Sequence, residues 1–214
     1  MPNIKIDLLR QDLLRMASLA QIGFLRAWKS FEDRDIATAR DVIVHDEKLN
    51  VLAEKMFKKS LEFIALHAPV AKDLRTIGAY LRIATDLERI GDLSVEIAKV
   101  VVRLNGNQGS TLLFDIPPMA EKVREMIKVS LNCLEDGLIG YARTLDSMDD
   151  VVDTYFRKNM VNLENAMKID SEYVSEGVQF LKLIQHLERI GDHATNIGEW
   201  TIYMSTGNIA DLNT

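Results

Sequence analysis

The sequence is short of the residues that would mark it as secreted, membrane-bound or metal-stapled. It has one cysteine, four prolines, and aromatic side chains at only 7% of positions. A single thiol, Cys133, cannot close an intramolecular bridge. Its neighbours Leu131 and Leu134 predict a buried helical thiol in a reducing compartment. No apolar run approaches the length of a bilayer span, so no membrane insertion is expected. The first residues carry Lys5, Asp7 and Arg10 where a secretory leader needs an apolar stretch, which predicts a cytoplasmic protein. Positive charge is also in deficit, with 26 Lys and Arg against 32 Asp and Glu, a net charge of −6. That balance argues against tracking a phosphate backbone, so no nucleic-acid partner is expected. There is no nucleophile–base constellation, no glycine-rich phosphate loop and no Cys/His ligand framework.

What the sequence does have is helical periodicity. Leu9, Leu13, Met16, Ala20, Gly23 and Ala27 form a three-and-four stripe. Asp33-Arg34-Asp35 supplies an N-cap for a second helix over about 35–66, which Ala68-Pro69 stops. A third helix is predicted over about 70–104. The Asn-, Gly-, Gln- and Ser-bearing stretch that follows is the one clear linker. The pattern then repeats, with a helix from Pro118 to about Leu145, a turn at Asp146-Ser147, a helix to about Lys168, a turn at Asp170-Ser171, and a last helix to about Ser205. No alternating strand pattern occurs. The reading is all-α, two tandem duplicated three-helix bundles of six long antiparallel helices, over residues 1–106 and 118–214, with a linker at 107–117.

The duplication is written most plainly in LERIGD, which occurs as Leu87–Asp92 and again as Leu187–Asp192. Each copy places two carboxylates four residues apart, Glu88 with Asp92 and Glu188 with Asp192, on one edge of a helix. Gly91 falls inside the apolar arc, where a missing side chain would let a neighbouring helix come close. The second helix of each half carries a similar pair, Asp46 with Asn50 and Asp149 with Asp153. If these helices pack together, the oxygens converge at the border of the buried face. Two like charges 4 Å apart repel by about 4 kcal/mol at an effective dielectric near 20. Either some carboxyls are protonated or a cation sits between them. An all-oxygen set suits Mg, Mn, Ca or Fe ions better than structural zinc. The plain alternative is a solvated acidic edge with no metal, since such pairs are common on charged helices.

Other side chains are read as structural. Arg89 and Arg189 point about 100° away from the carboxylate edge, as surface ion-pair residues would. His186 and His193 project off the Glu188–Asp192 edge as surface or border residues, and His45 faces away from Asp46. A di-iron carboxylate enzyme would need a glutamate three residues before a histidine, and no histidine here has one.

The segments TDLERIGDLSVEIA and HLERIGDHATNIGE closely resemble the paired signature of the PhoU family. HDEKLNVL, HAPVAKDLR and DDVVDTYF resemble further family segments, so the likeness covers nearly the whole chain. The resemblance implies two similar three-helix bundles and E/D-x-x-x-D motifs that bind metal ions. Carried over by residue, the ligands would be Asp46, Asn50, Glu88 and Asp92 in the first half, and Asp149, Asp153, Glu188 and Asp192 in the second. Asn50 departs from the usual carboxylate, so the second edge is expected to hold metal more tightly. The resemblance further implies a cytoplasmic, homodimeric, non-enzymatic negative regulator of the phosphate-starvation response. Its implied partners are the ATPase subunit of the high-affinity phosphate ABC transporter (PstB type) and a sensor histidine kinase of PhoR type.

Overall fold

Where the helices stop decides how the two halves are arranged. The computed structural model describes residues 4–104, 112, 114–137, 139–208 and 212, and among these there is no strand. In chain order the helices are α1 (Ile4–Asp33), α2 (Ile36–His45), α3 (Glu47–His67), α4 (Ala71–Leu104), α5 (Ile116–Asp136), α6 (Ile139–Ala142), α7 (Thr144–Ile169) and α8 (Val174–Thr206), with a 3-10 turn at Ser171–Tyr173 before α8. These make six helical arms, two of them broken.

Several boundaries fall where the sequence puts them. The carboxylate of Asp35 accepts from the amides of Ala37 and Thr38 at 2.9 and 3.1 Å, capping α2. Ala68 ends α3 in the left-handed region at φ 41°, ahead of Pro69. Asp170 accepts from the Glu172 amide at the expected turn before α8. Most of the expected linker, residues 107–111 and 113, lies outside the described residues. Its last two positions, Ile116 and Pro117, already belong to α5.

Three expectations fail. The second arm is not one helix over 35–66, because it breaks at Asp46 between α2 and α3. The Asp46 carbonyl accepts from Leu49 at 2.9 Å and from Asn50 at 3.3 Å, a tightened turn made without glycine or proline. The fourth helix does not run to Leu145 either. Gly137, at φ 69°, takes the left-handed cap and donates to the Cys133 carbonyl at 2.9 Å. The expected turn at Asp146-Ser147 is instead the first turn of α7. There Asp146 faces the helix's positive end, and Ser147 Oγ donates to the Thr144 carbonyl at 3.0 Å.

The long helices α4 and α8 lie side by side at the centre. α1, α2 and α3 cover α4, while α5, α6 and α7 cover α8. One continuous core runs through both halves. Phe31 of the first half meets Phe180 of the second edge-on, ring centres 5.9 Å apart. Cys133 is buried, and burial pushes its thiol pKa up.

Each letter of LERIGD now has a structural reason. Leu87, Ile90, Leu187 and Ile190 are fully buried, and truncating any one of them to Ala should cost about 2–5 kcal/mol. The glutamates and aspartates stand partly buried on the rim, and the arginines point out.

Candidate carboxylate sites at the glycine edges

A carboxylate from the neighbouring arm comes in over the glycine of each hexamer, and at Gly91 the missing side chain is what makes room for it. A methyl group on Gly91 would stand 2.9 Å from Asp46 Oδ1 and collide with Leu49 Cδ2. At Gly191 the same methyl would lie 3.6 Å from Asp149 Oδ1, an ordinary contact. Asp46 therefore faces Glu88 and Asp92, and Asp149 faces Glu188 and Asp192, as the spacing predicts. Their charges act on one another across each edge.

The two edges handle that repulsion differently. In the first half, Asn50 Nδ2 donates to Asp46 Oδ2 at 3.1 Å, so its amide meets the carboxylate as a donor. Arg89 donates to Asp92 Oδ2 at 3.0 Å. It is an exposed ion-pair residue as the sequence suggests, but its partner is a carboxylate of the edge itself. Burial raises the Asp46 and Glu88 pKa values, the Asn50 hydrogen bond opposing it at Asp46 and the Asp92 charge adding to it at Glu88.

The second half has no such neutralising pairs among its described residues. Burial, then the charges of Asp192, Asp153 and Glu188, push Asp149 up to about 7. Glu188 is raised by burial and by Asp192 and Asp153, and Asp192 by burial, with His193 working against it. Part of the difference comes from the helix behind. The terminal methyl and sulfur of Met126 stand 3.6 Å from the Gly191 methyl position. Beside Gly91 there is instead a cleft of about 150 Å³, lined by Gly23, Asp46, Leu49 and Ser94. Filling that space with a thioether removes water from Asp149 and raises the cost of its charge.

Among the described residues no three His, Cys, Asp or Glu side chains already stand as a closed ligand set around one point. The donor chemistry of the second edge nonetheless suits a hard cation, with four oxygen-bearing side chains whose mutual repulsion Arg189 and His193 only partly offset.

His193 is a border residue, as its spacing allows, with a partner that the spacing does not show: it is partly buried and donates through Nδ1 to Asp86 Oδ1 at 2.9 Å. Asn196 Nδ2 donates to the same oxygen at 3.2 Å. This cluster ties α8 to α4, and Arg82 lies over the Trp200 ring nearby, 5.1 Å from its centre. Sequence spacing alone could not find it, because Asp86 and His193 are 107 positions apart. His193→Leu, which copies Leu93 of the first hexamer's flank, leaves the buried Asp86 short of a partner. It should cost about 1–2 kcal/mol in urea unfolding at pH 7.

Comparison with known proteins places the whole chain. The family model described as the PhoU domain matches twice, at residues 13–101 and 116–201. A Clostridium acetobutylicum protein named as a phosphate-specific transport system accessory protein PhoU homolog is 37% identical over 209 residues, 97% of this chain and 95% of that one. A Synechocystis protein of the same name is 31% identical over 198 residues, 92% of this chain and 88% of the other. Among solved structures, PhoU from Pseudomonas aeruginosa superposes with a TM-score of 0.93 at 26% identity, covering 97% of this chain and all of that one. The phosphate transport system regulatory protein PhoU from Streptococcus pneumoniae gives 0.89 at 27% identity, covering 98% and 99%.

Proposed function

This chain belongs to the PhoU family, and on that premise we propose that it is a non-enzymatic regulator of phosphate homeostasis. It acts by contact on the ATPase subunit of the phosphate ABC transporter and on a PhoR-type sensor kinase, holding the starvation response off when phosphate is plentiful. The observation that carries this reading is the repeated glycine edge in a chain whose full-length relatives are named as accessory proteins of phosphate-specific transport. An acidic, all-helical chain without a nucleophile–base pair suits regulation by binding. Among the described residues no helix is long and apolar enough to cross a membrane. Deleting the gene should switch on phosphate-starvation genes in phosphate-rich medium, and re-expression should silence them. Genes that stay silent in the deletion strain would sink the role.

Metal binding belongs to the same proposal, and the edges divide the work. The second edge, Asp149, Asp153, Glu188 and Asp192, takes a hard divalent or iron cation. The first edge, Asp46, Asn50, Glu88 and Asp92, binds more weakly because Asn50 and Arg89 already occupy its carboxylates. In titration calorimetry on chelator-stripped protein, Mn²⁺ should bind one site at least about tenfold more tightly, about 1.4 kcal/mol. Asp153→Asn should bring the tight site down towards the weak one. Asp149 must lose its proton to bind, so affinity at the tight site should fall as pH drops below 7. Two equal sites, or a tight site indifferent to Asp153→Asn, would favour a metal-free adaptor.

A further inference from the structure

Asp86 of α4 meets His193 of α8, and the charge of Glu96 on α4 acts on His186 of α8, so the two central helices lie side by side and antiparallel. A twofold axis that exchanges such a pair stands perpendicular to the plane they define. Whatever the duplication repeats therefore lies on the same side of that plane in both halves.

What it repeats, besides the hexamer, is exposed apolar side chains. Phe57 and Met160 stand eleven residues after Asp46 and Asp149, and are 55% and 40% exposed. Leu66 and Ile169, twenty residues after the same aspartates, are exposed too. Leu74 and Val174 stand thirteen residues before the two hexamers, and are 46% and 44% exposed. Single exposed apolar residues are ordinary. Others here are not repeated: exposed Val44 and Leu61 have Ser147 and Glu164 at the matching positions. The repeated ones join up. Leu74, Leu81 and Glu88 follow one another at two-turn intervals, as do Val174, Leu181 and Glu188, so each set is a stripe that ends on a carboxylate edge.

The charge beside the stripes is negative. Phe57, Leu81 and Ala84 wall a cleft of about 250 Å³ that has Glu54 and Glu88 in its lining and no cation. Lys58 holds Glu54 from the same helix, while Glu88 has no ion-pair partner among the described residues. Such a cleft takes a lysine or arginine side chain, its stem against Phe57 and Leu81 and its charge at Glu88. In the second half Met160 and Leu181 hold the apolar positions, and Asp153 and Glu188 outweigh Arg157, which stands where Glu54 does.

We propose that the two stripes dock a protein partner built of two like subunits related by a twofold axis. Each subunit lays apolar side chains and a lysine or arginine along one stripe. By the antiparallel pairing, Leu74 and Val174 lie about 50 Å apart along the helices, whereas a twenty-residue helix spans about 30 Å. One docked helix therefore cannot reach both stripes, and two subunits can. The acidic clefts select a basic occupant over a second copy of this chain, whose net charge is −6. The proposal rests on the regulatory reading above and names the face through which that contact is made.

The test is titration calorimetry in chelator, with the purified ATPase subunit of the phosphate transporter and, separately, the full-length PhoR-type kinase in detergent. One variant combines Phe57→Ser with Leu74→Ser, and the other Met160→Ser with Val174→Ser. All four residues are exposed, so unchanged circular dichroism should show that both variants fold. The parent should bind at least one of the two partners, at two partner subunits per chain. Each variant should bind at least tenfold more weakly, because losing one of two linked contacts removes the avidity. Val44→Ser, outside the stripes, should bind like the parent. Equal binding by the parent and both variants overturns the proposal and leaves the regulatory contact standing. Binding of neither partner by the parent overturns the proposal and that contact together. A one-to-one complex that needs a single stripe overturns the twofold match. A parent that sediments as a dimer, broken by the variants without loss of partner binding, overturns the proposal in favour of a second copy.

Discussion

Asp149→Asn is expected to make the metal-free protein more stable, by about 2–3 kcal/mol at pH 8. The folded chain holds the Asp149 carboxyl at a pKa of about 7, against 3.8 ordinarily. Below pH 3.8 the group is protonated in both states and costs nothing. As pH rises toward 7 the unfolded chain releases the proton while the folded chain retains it, so the parent loses stability steadily. Above 7 the folded state carries an anion among Asp192, Asp153 and Glu188, and the loss is complete. At about 1.36 kcal/mol per pH unit the ceiling is about 4 kcal/mol, and solvent at the partly exposed edge screens some of it. Urea unfolding of parent and variant at pH 4, 6 and 8 in chelator measures the effect. The curves should meet at pH 4 and diverge upward. A constant difference across that range would mean Asp149 ionises normally. Saturating Mn²⁺ should reverse the order at pH 8, because the cation stabilises the parent's anion and has little to hold in the variant.

Gly91→Ala and Gly191→Ala, the same substitution in the same hexamer, are expected to act with opposite sign. Alanine improves a helix over glycine by about 1 kcal/mol, and both sites share that gain. At Gly191 the added methyl meets Asp149 and Met126 at 3.6 Å, so the gain survives as about 0.5–1 kcal/mol of added stability. At Gly91 it collides with Leu49, a buried side chain, and presses on Asp46 Oδ1. Overpacking of this kind costs about 1–3 kcal/mol, leaving a net loss near 1–2. Thermal or urea unfolding of the two variants should therefore differ by about 2–3 kcal/mol. A difference near zero would show that the α3–α4 contact relaxes freely. Gly91→Ala should also reduce metal binding at the first edge, since it displaces Asp46, and leave the second edge untouched.

The lesson of the hexamer is how unevenly its meaning was spread. Period 3.6 located the buried Leu87 and Ile90, the rim carboxylates and the close approach at Gly91, because those follow from positions on one helix. The chain ends of α3 and α4 were legible in Ala68-Pro69, where backbone chemistry leaves little choice. The break at Asp46 was not, because a tightened turn without glycine or proline leaves no mark in composition. The cap at Gly137 is masked in the sequence by a helical pattern that continues past it.

The sequence by itself determined an all-α chain, its duplication, and which carboxylates share an edge. Tertiary structure alone decided what those carboxylates meet. Identical letters at 87–92 and 187–192 face Gly23 and an open cleft in one half, and Met126 in the other. It also decided that α4 and α8 bury a second face against each other, which makes Asp86 and His193 partners and sets His186 in a groove beside Glu96 and Arg189. The physical reason is that helical periodicity ranks residues by direction around one axis. Desolvation and charge coupling, by contrast, depend on which atoms of other helices fill the space in that direction.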